Sequence, residues 1–180
     1  SLYTYFFDKK RVVQVNYEYN RTLPFSNISG NTQLVKAFMG YETAQTSVGV
    51  EVFKQFNKNA TLYRHAAGAV NSFSARNTAA GISAFYTGTI QSEKLNFFAR
   101  IDWFNPDTNF KPDRFYSEGY PSAKELFATI GVDYEPVKNI HFMPNLWLNH
   151  YESKSINRLN TPKNGSDIVG RVTFYYLFNK

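Results

Sequence analysis

Apolar and polar positions alternate with a period of two along almost the whole chain, and convincing helical periodicity appears nowhere. In "RVVQVNYEYN" (11–20), Val13, Val15, Tyr17 and Tyr19 alternate with Gln14, Asn16, Glu18 and Asn20. In "TQLVKAFMGYE" (32–42), Val35, Ala37, Met39 and Tyr41 oppose Lys36, and in "SVGVEVFKQF" (47–56), Val48, Val50, Val52 and Phe56 oppose Ser47, Gly49, Glu51 and Gln55. "GISAFYTGTI" (81–90), "LNFFARIDWF" (95–104), "ELFATIGVDY" (125–134), "IHFMPNLWLNHY" (140–151) and "DIVGRVTFYYLF" (167–178) repeat the pattern. This predicts eight strands, with "LYTYFF" (2–7) as a ninth. Each should run roughly 10 to 12 residues, twice the usual soluble strand and close to what a tilted strand needs to cross a bilayer.

The connections alternate in length. Short turns are expected near 8–10, 43–45, 91–93 and 136–138, and long polar loops near 21–31, 57–78, 106–123 and 152–166. Short turns at one end and long loops at the other is the asymmetry of a membrane barrel. The apolar face is also sorted along the strand direction. Tyr19, Phe56 and Trp103 fall near the loop end, and Tyr41, Tyr134, Tyr176 and Phe178 near the turn end. Between them the same face carries Val15, Ala37, Val50, Ala99, Ile130 and Val172. An aliphatic band between two aromatic girdles suits a surface that meets lipid. Lys54 interrupts this face close to the loop end, from where it would snorkel to the headgroups. Pro144 interrupts it mid-strand, and a local bulge is the expected repair.

Composition narrows the reading. With 43% hydrophobic residues, 17 Phe and 13 Tyr, the chain is too apolar for disorder. The absence of cysteine excludes disulfides and thiolate metal sites. No stretch approaches 18 apolar residues, which excludes a transmembrane helix but says nothing against a barrel. A mean hydropathy of −0.42 fits a membrane barrel as well as a soluble protein. Net charge is +6, but only Lys9, Lys10 and Arg11 cluster, so nucleic-acid binding is not expected.

The C-terminal part carries a resemblance. The stretches "FFARIDWFNPDTNF", "LFATIGVDYEPVKNIHFMPNLWLNHY" and "VGRVTFYYLF", across 95–178, resemble the end of bacterial porin-like barrels related to phosphate-selective porins. The closing Tyr176-x-Phe178 is similar to the assembly signal of Gram-negative outer-membrane proteins, although Asn179 and Lys180 follow the aromatic here. The resemblance implies residence in the bacterial outer membrane, contact with its lipid and lipopolysaccharide, and recognition of the last strand by the barrel-assembly machinery. No anion-binding residue carries over from that group.

If the apolar faces meet lipid, the opposite faces line the interior. They collect Glu18, Lys36, Glu51, Arg100, Asp102, Asp133, Asp167 and Arg171 as pore-lining candidates, with Phe85, Phe98, Phe127 and Trp147 among them. Charges of both signs suit a water-filled passage. They equally suit structural ion pairs inside a plugged barrel. The three histidines have no ligand spacing, so no metal, cofactor or catalytic group is expected. His150 with Glu152 is the nearest approach to a hydrolase constellation, and His150 faces outward. The sequons at Asn27, Asn59 and Asn164 match by chance in Asn- and Ser-rich loops. Loop cations (Lys58, Arg64, Arg76, Lys111, Arg114, Lys154, Arg158 and Lys163) would attract anionic solutes or pair with lipid phosphates, and the sequence does not separate these.

The expected protein is all-β: one domain over 1–180, a transmembrane antiparallel up-and-down barrel with eight or nine strands. We read it as the C-terminal half of a larger barrel of about 16, because the stub at 2–7 is too short to cross the hydrocarbon and would make the strand total odd. The rival account closes the eight strands from Arg11 to Phe178 alone, around an interior filled by side chains. The expected function is an outer-membrane porin, a passive channel for small polar or anionic solutes, not an enzyme. Association into a homo-oligomer or a larger membrane complex stays open. The alternatives are a small closed barrel with a structural or adhesive role and, further off, a soluble lipocalin-type barrel whose greasy faces point inward.

Overall fold

The computed structural model of the chain describes residues 2–6, 10–22, 30–64, 72–90, 94–110, 123–152 and 165–178. Nine strands follow one another: β1 (Leu2–Phe6), β2 (Arg11–Thr22), β3 (Gly30–Glu42), β4 (Thr46–Arg64), β5 (Ser72–Thr89), β6 (Leu95–Asn105), β7 (Lys124–Val137), β8 (Ile140–Glu152) and β9 (Gly165–Tyr176). They form a single antiparallel sheet in chain order, each strand hydrogen-bonded to its sequence neighbours. Among the described residues no pairing joins β1 to β9. All nine expected strands are present, and among the described residues no helix is long and apolar enough to cross a membrane.

Register places all the alternating segments in phase. One transverse row runs Val15, Ala37, Val52, Ile82, Trp103, Leu126, His150, Ser166. The neighbouring row on the opposite face runs Gln14, Phe38, Glu51, Ser83, Asp102, Phe127, Asn149, Asp167. The rows also climb. Ala37 lies seven residues before Ala44 in one turn, whereas Leu126, in the same row, lies twelve before Lys138 in another. Neighbouring strands therefore slide past one another by about one residue each, the stagger of tilted barrel strands.

The two faces are packed differently. The face of Val15 is open, and its large apolar side chains from Tyr17 to Tyr176 are mostly 40–70% exposed. The other face is only half-buried, and no described side chain is fully enclosed. There, rings lie over glycines. Phe53 and Phe104 reach from β4 and β6 over Gly81 of β5, which is their register partner on both sides, and stack with centroids 6.1 Å apart. Phe38 and Phe85 meet in the same way over Gly49, and Phe98 covers Gly131. A glycine here leaves a hole that a neighbouring ring fills, and it lets the sheet bend toward that side.

Apart from glycines, the buried residues among those described collect at one corner, at the loop end. Asn77, Ala79, Asn105 and Asp107 are all buried there. The chain after β6 folds back over β5: Thr108 N–H donates to Thr78 O at 2.7 Å, and Asn77 Nδ2 donates to Pro106 O at 3.0 Å. Asp107 Oδ1 accepts from the Asn109 amide at 2.9 Å. The expected loop 106–123 thus begins with a tied-down segment.

Several expectations need correction. Strands β4 and β5 have 19 and 18 residues, so the loop expected over 57–78 is mostly hairpin. Thr61 to Arg64 pair with Ser72 to Ala75 beyond a register shift between Lys58 and Thr61. Polar Asn, Lys and Thr residues disguised that extension, because backbone pairing does not need an apolar face. The bulge expected at Pro144 is absent. Pro144 keeps its partner Val172 on β9, and toward β7 the ladder lapses between Gly131↔Asn145 and Tyr134↔Phe142 with its register kept. The irregularity falls instead between Tyr134 and Val137. The last short turn sits at Lys138 and Asn139 rather than at 136–138. Asn139 has φ 70°, a conformation its short polar side chain tolerates. The turns expected at 8–10 and 91–93, and the loops 23–29, 65–71, 111–122 and 153–164, lie wholly or largely outside the described residues, together with His65, Asn27, Asn164, Lys111, Arg114, Lys154, Arg158 and Lys163.

Candidate functional site

The seven interior candidates Glu18, Lys36, Glu51, Arg100, Asp102, Asp133 and Arg171 all occupy the mixed face. So does nearly every strand carboxylate. Glu42, Glu125, Glu135 and Asp167 join that face, and Glu152 alone among the described strand residues takes the other, where Lys124 binds it at 2.9 Å. This segregation follows from parity alone, since each carboxylate sits at an even spacing from a polar neighbour.

Most of these charges are engaged locally. Glu18 accepts a hydrogen bond from Asn20 Nδ2 at 2.6 Å. Lys36 meets Glu51 across β3 and β4 at 3.5 Å. Arg100 Nε binds both oxygens of Asp102 at 2.8 and 3.0 Å, two residues along the same strand. Arg100 is 56% exposed, and exposed pairs contribute only about 0–1 kcal/mol. The pair therefore shapes the local field more than it holds the fold.

Strands β7 to β9 carry the densest constellation. Asp133 Oδ1 lies 2.8 Å from His141 Nδ1, and the His141 ring stacks on Tyr175 with centroids 4.3 Å apart and planes within 4°. Four residues back along β9, the Arg171 guanidinium lies over Trp147 at 4.1 Å, and Trp147 meets Phe127 edge-on at 5.5 Å. Between them Thr129 Oγ1 and Asn145 Oδ1 are buried without a protein hydrogen-bond partner. Buried polar atoms of this kind need a partner from solution, and here they sit beside a cation on a polar wall. Among the described residues no group of His, Cys, Asp and Glu is arranged to hold a metal ion.

On the opposite face, all seven girdle candidates are exposed: Tyr19, Phe56, Trp103, Tyr41, Tyr134, Tyr176 and Phe178. Their heights agree. Phe56 pairs with Gln33, eight residues from Tyr41 on β3, and Trp103 pairs with Leu126, eight residues from Tyr134 on β7. Eight residues at about 3.3 Å each, tilted by about 40°, separate the two aromatic levels by about 20 Å. Lys54 shares this face, with its Nζ 5.4 Å from the centre of the Phe56 ring, on the loop side. Ser166 Oγ lies 2.8 Å from His150 Nδ1 on the same face, while Glu152 is held by Lys124 rather than by His150.

Sequence reading missed three of the rings, Phe38, Phe53 and Phe104, and both the Asp133–His141–Tyr175 and Arg171–Trp147 contacts. Parity puts all of them on one face, but which pairs meet depends on register. Glycines at positions 49, 81 and 131 of that face were the available signal. Comparison with protein-family models, with curated proteins and with solved structures found no match for this chain.

Proposed function

We propose that the chain is a transmembrane β-barrel of the bacterial outer membrane, or a large part of one, and works as a passive channel for small polar solutes. The observation that carries the reading is the inversion of the two faces: the apolar side chains lie open, and the carboxylates gather on the half-buried side. Full burial of one large apolar side chain contributes about 1.5–3 kcal/mol. Some twenty of them left in water would forgo more than the entire net stability of an ordinary domain, about 5–15 kcal/mol. That face needs an apolar cover. The two aromatic levels fit one of lipid, their separation of about 20 Å being close to the roughly 25 Å apolar band of outer-membrane barrels. The stagger of about one residue per strand suits closure of tilted strands around an axis.

In this reading the channel has no chemical step. The mixed face surrounds water, and Lys36, Arg100 and Arg171, facing Glu51, Asp102 and Asp133, set which ions pass. The partners are membrane lipid, lipopolysaccharide and the assembly machinery that receives β9. A second reading, a barrel with a packed interior and a structural role, is favoured by the rings over Gly49, Gly81 and Gly131.

Single-cysteine labelling tests the topology. Ala37, Ala99, Ile130 and Val172 should react only with membrane-soluble reagents, and Asn16, Arg100, Thr129 and Thr173 with small aqueous ones. The reverse pattern overturns the assignment of faces. Ion conductance in planar bilayers then separates channel from packed barrel.

A further inference from the structure

The rings of the mixed face lie along the sheet instead of standing off it. At Gly49 the far ring atoms of Phe85, Cε1 and Cζ, come within 2.5 Å of where a Cβ would project, and Cε2 of Phe38 within 2.8 Å. These two rings reach in from the strands on either side of that glycine, and their planes agree within 8°. Phe53 bends over Gly81 in the same way, beside Phe104. All four rings stay partly exposed, so each pair presents an apolar platform to the interior. Between the platforms runs a polar strip, because Glu51, Ser83 and Asp102 are register partners across β4, β5 and β6. Ser83 is two residues from Gly81 and Glu51 two residues from Gly49. The strip is therefore about 7 Å from each platform, and the platforms are about 13 Å apart along the strands. The charges of the strip are compensated on the spot: Lys36 meets Glu51 at 3.5 Å, and Arg100 binds Asp102 at 2.8 Å.

We infer that this patch of β3 to β6 is a binding subsite for a carbohydrate, a short neutral oligosaccharide. The inference rests on the mixed face lining an accessible interior. A pyranose ring has a face of C–H groups and a rim of hydroxyls. The negative face of an aromatic ring attracts those C–H hydrogens, and the rim needs donors and acceptors side by side. Lys36 and Arg100 donate, Glu51 and Asp102 accept, and the Ser83 hydroxyl does both. A free anion would meet cations already neutralised by carboxylates. A wholly apolar solute would cover the strip and leave its polar groups without partners, at a cost. The glycines gain a role as well, since a side chain at either position would push the rings upright and break the platforms.

The test uses the full chain folded in lauryldimethylamine oxide micelles, whose headgroup carries no sugar. Maltotriose, cellotriose and xylotriose are the probes. Saturation-transfer NMR reads contact with the sugar C–H protons, and calorimetric titration reads affinity. The wild type should bind at least one probe saturably, with transfer strongest to the C–H protons of one sugar face. Phe85→Leu keeps the bulk and removes the aromatic face, and Ser83→Ala removes one hydroxyl. Each should weaken binding about 2- to 12-fold. Phe97→Leu, on the open face, should change nothing, and inorganic phosphate should not displace the sugar. Heat-modifiable gel migration reports folding, and if Phe85→Leu does not fold, Ser83→Ala decides. No saturable binding of any probe by the folded wild type, unchanged affinity in the folded variants, or displacement by phosphate overturns the site. Ion conductance in planar bilayers keeps the two readings apart. Conductance without sugar binding overturns the site and leaves the channel, and sugar binding without conductance supports the site and overturns the channel.

Discussion

Replacing Ile130 with arginine places a charge at the centre of the open face. Ile130 lies four residues from Tyr134 and four from Leu126, which is in register with Trp103, so it is midway between the two aromatic levels. Each step of four tilted residues covers about 10 Å along the barrel axis. If that face meets lipid, Ile130→Arg puts a guanidinium at the bilayer midplane, at a cost of about 2–4 kcal/mol. That corresponds to roughly a 30- to 800-fold loss in the folding equilibrium. In water the arithmetic is different. Ile130 is 50% exposed, and a surface substitution without a buried partner changes stability by no more than about 0.5 kcal/mol. The assay is urea unfolding of the chain in phosphatidylcholine vesicles, followed by the fluorescence of Trp103 and Trp147. Tyr134→Arg, at the interface, should cost only about 0–1 kcal/mol, and Thr173→Arg, at an exposed position of the mixed face on β9, should cost far less than Ile130→Arg. A depth gradient on one face and none on the other is the expected signature. Equal effects of Ile130→Arg and Thr173→Arg would refute the assignment of the open face to lipid.

Exchanging Arg100 and Arg171 together for glutamate should move the reversal potential of an open channel toward cation selectivity; an unchanged potential, or no conductance in the wild type, supports the packed interior. Gly81→Val should destabilise the fold by about 1–3 kcal/mol, because a Cβ there would sit 2.4 Å from the Phe53 ring and 3.1 Å from a backbone oxygen of β6. Gly170→Ala meets nothing within 4 Å and should be neutral or stabilising by up to about 1 kcal/mol, so equal losses at both positions in chemical unfolding would contradict the ring-over-glycine packing. Removing residues 178–180 should lower the yield of folded barrel in cells without lowering synthesis, and normal surface display of the truncated chain would show that the aromatic ending is dispensable.

Period-two alternation determined the strands and the division of residues between two faces, because side chains in an extended chain must point to opposite sides in turn. It therefore put Glu51, Arg100, Asp102 and Arg171 together on one face and Val50, Ala99, Ile130 and Val172 on the other before any contact was known. Alternation fades where both faces are polar, which is why Lys58, Arg64 and Arg76 read as loop residues although backbone hydrogen bonds carry the hairpin past them. Register lies beyond the reach of such a pattern. A slide of two residues keeps every side chain on its face and changes every neighbour. Tertiary pairing alone decided that Phe53 and Phe104 meet over Gly81, that Arg171 covers Trp147, and that Glu51, Ser83 and Asp102 fall in one row.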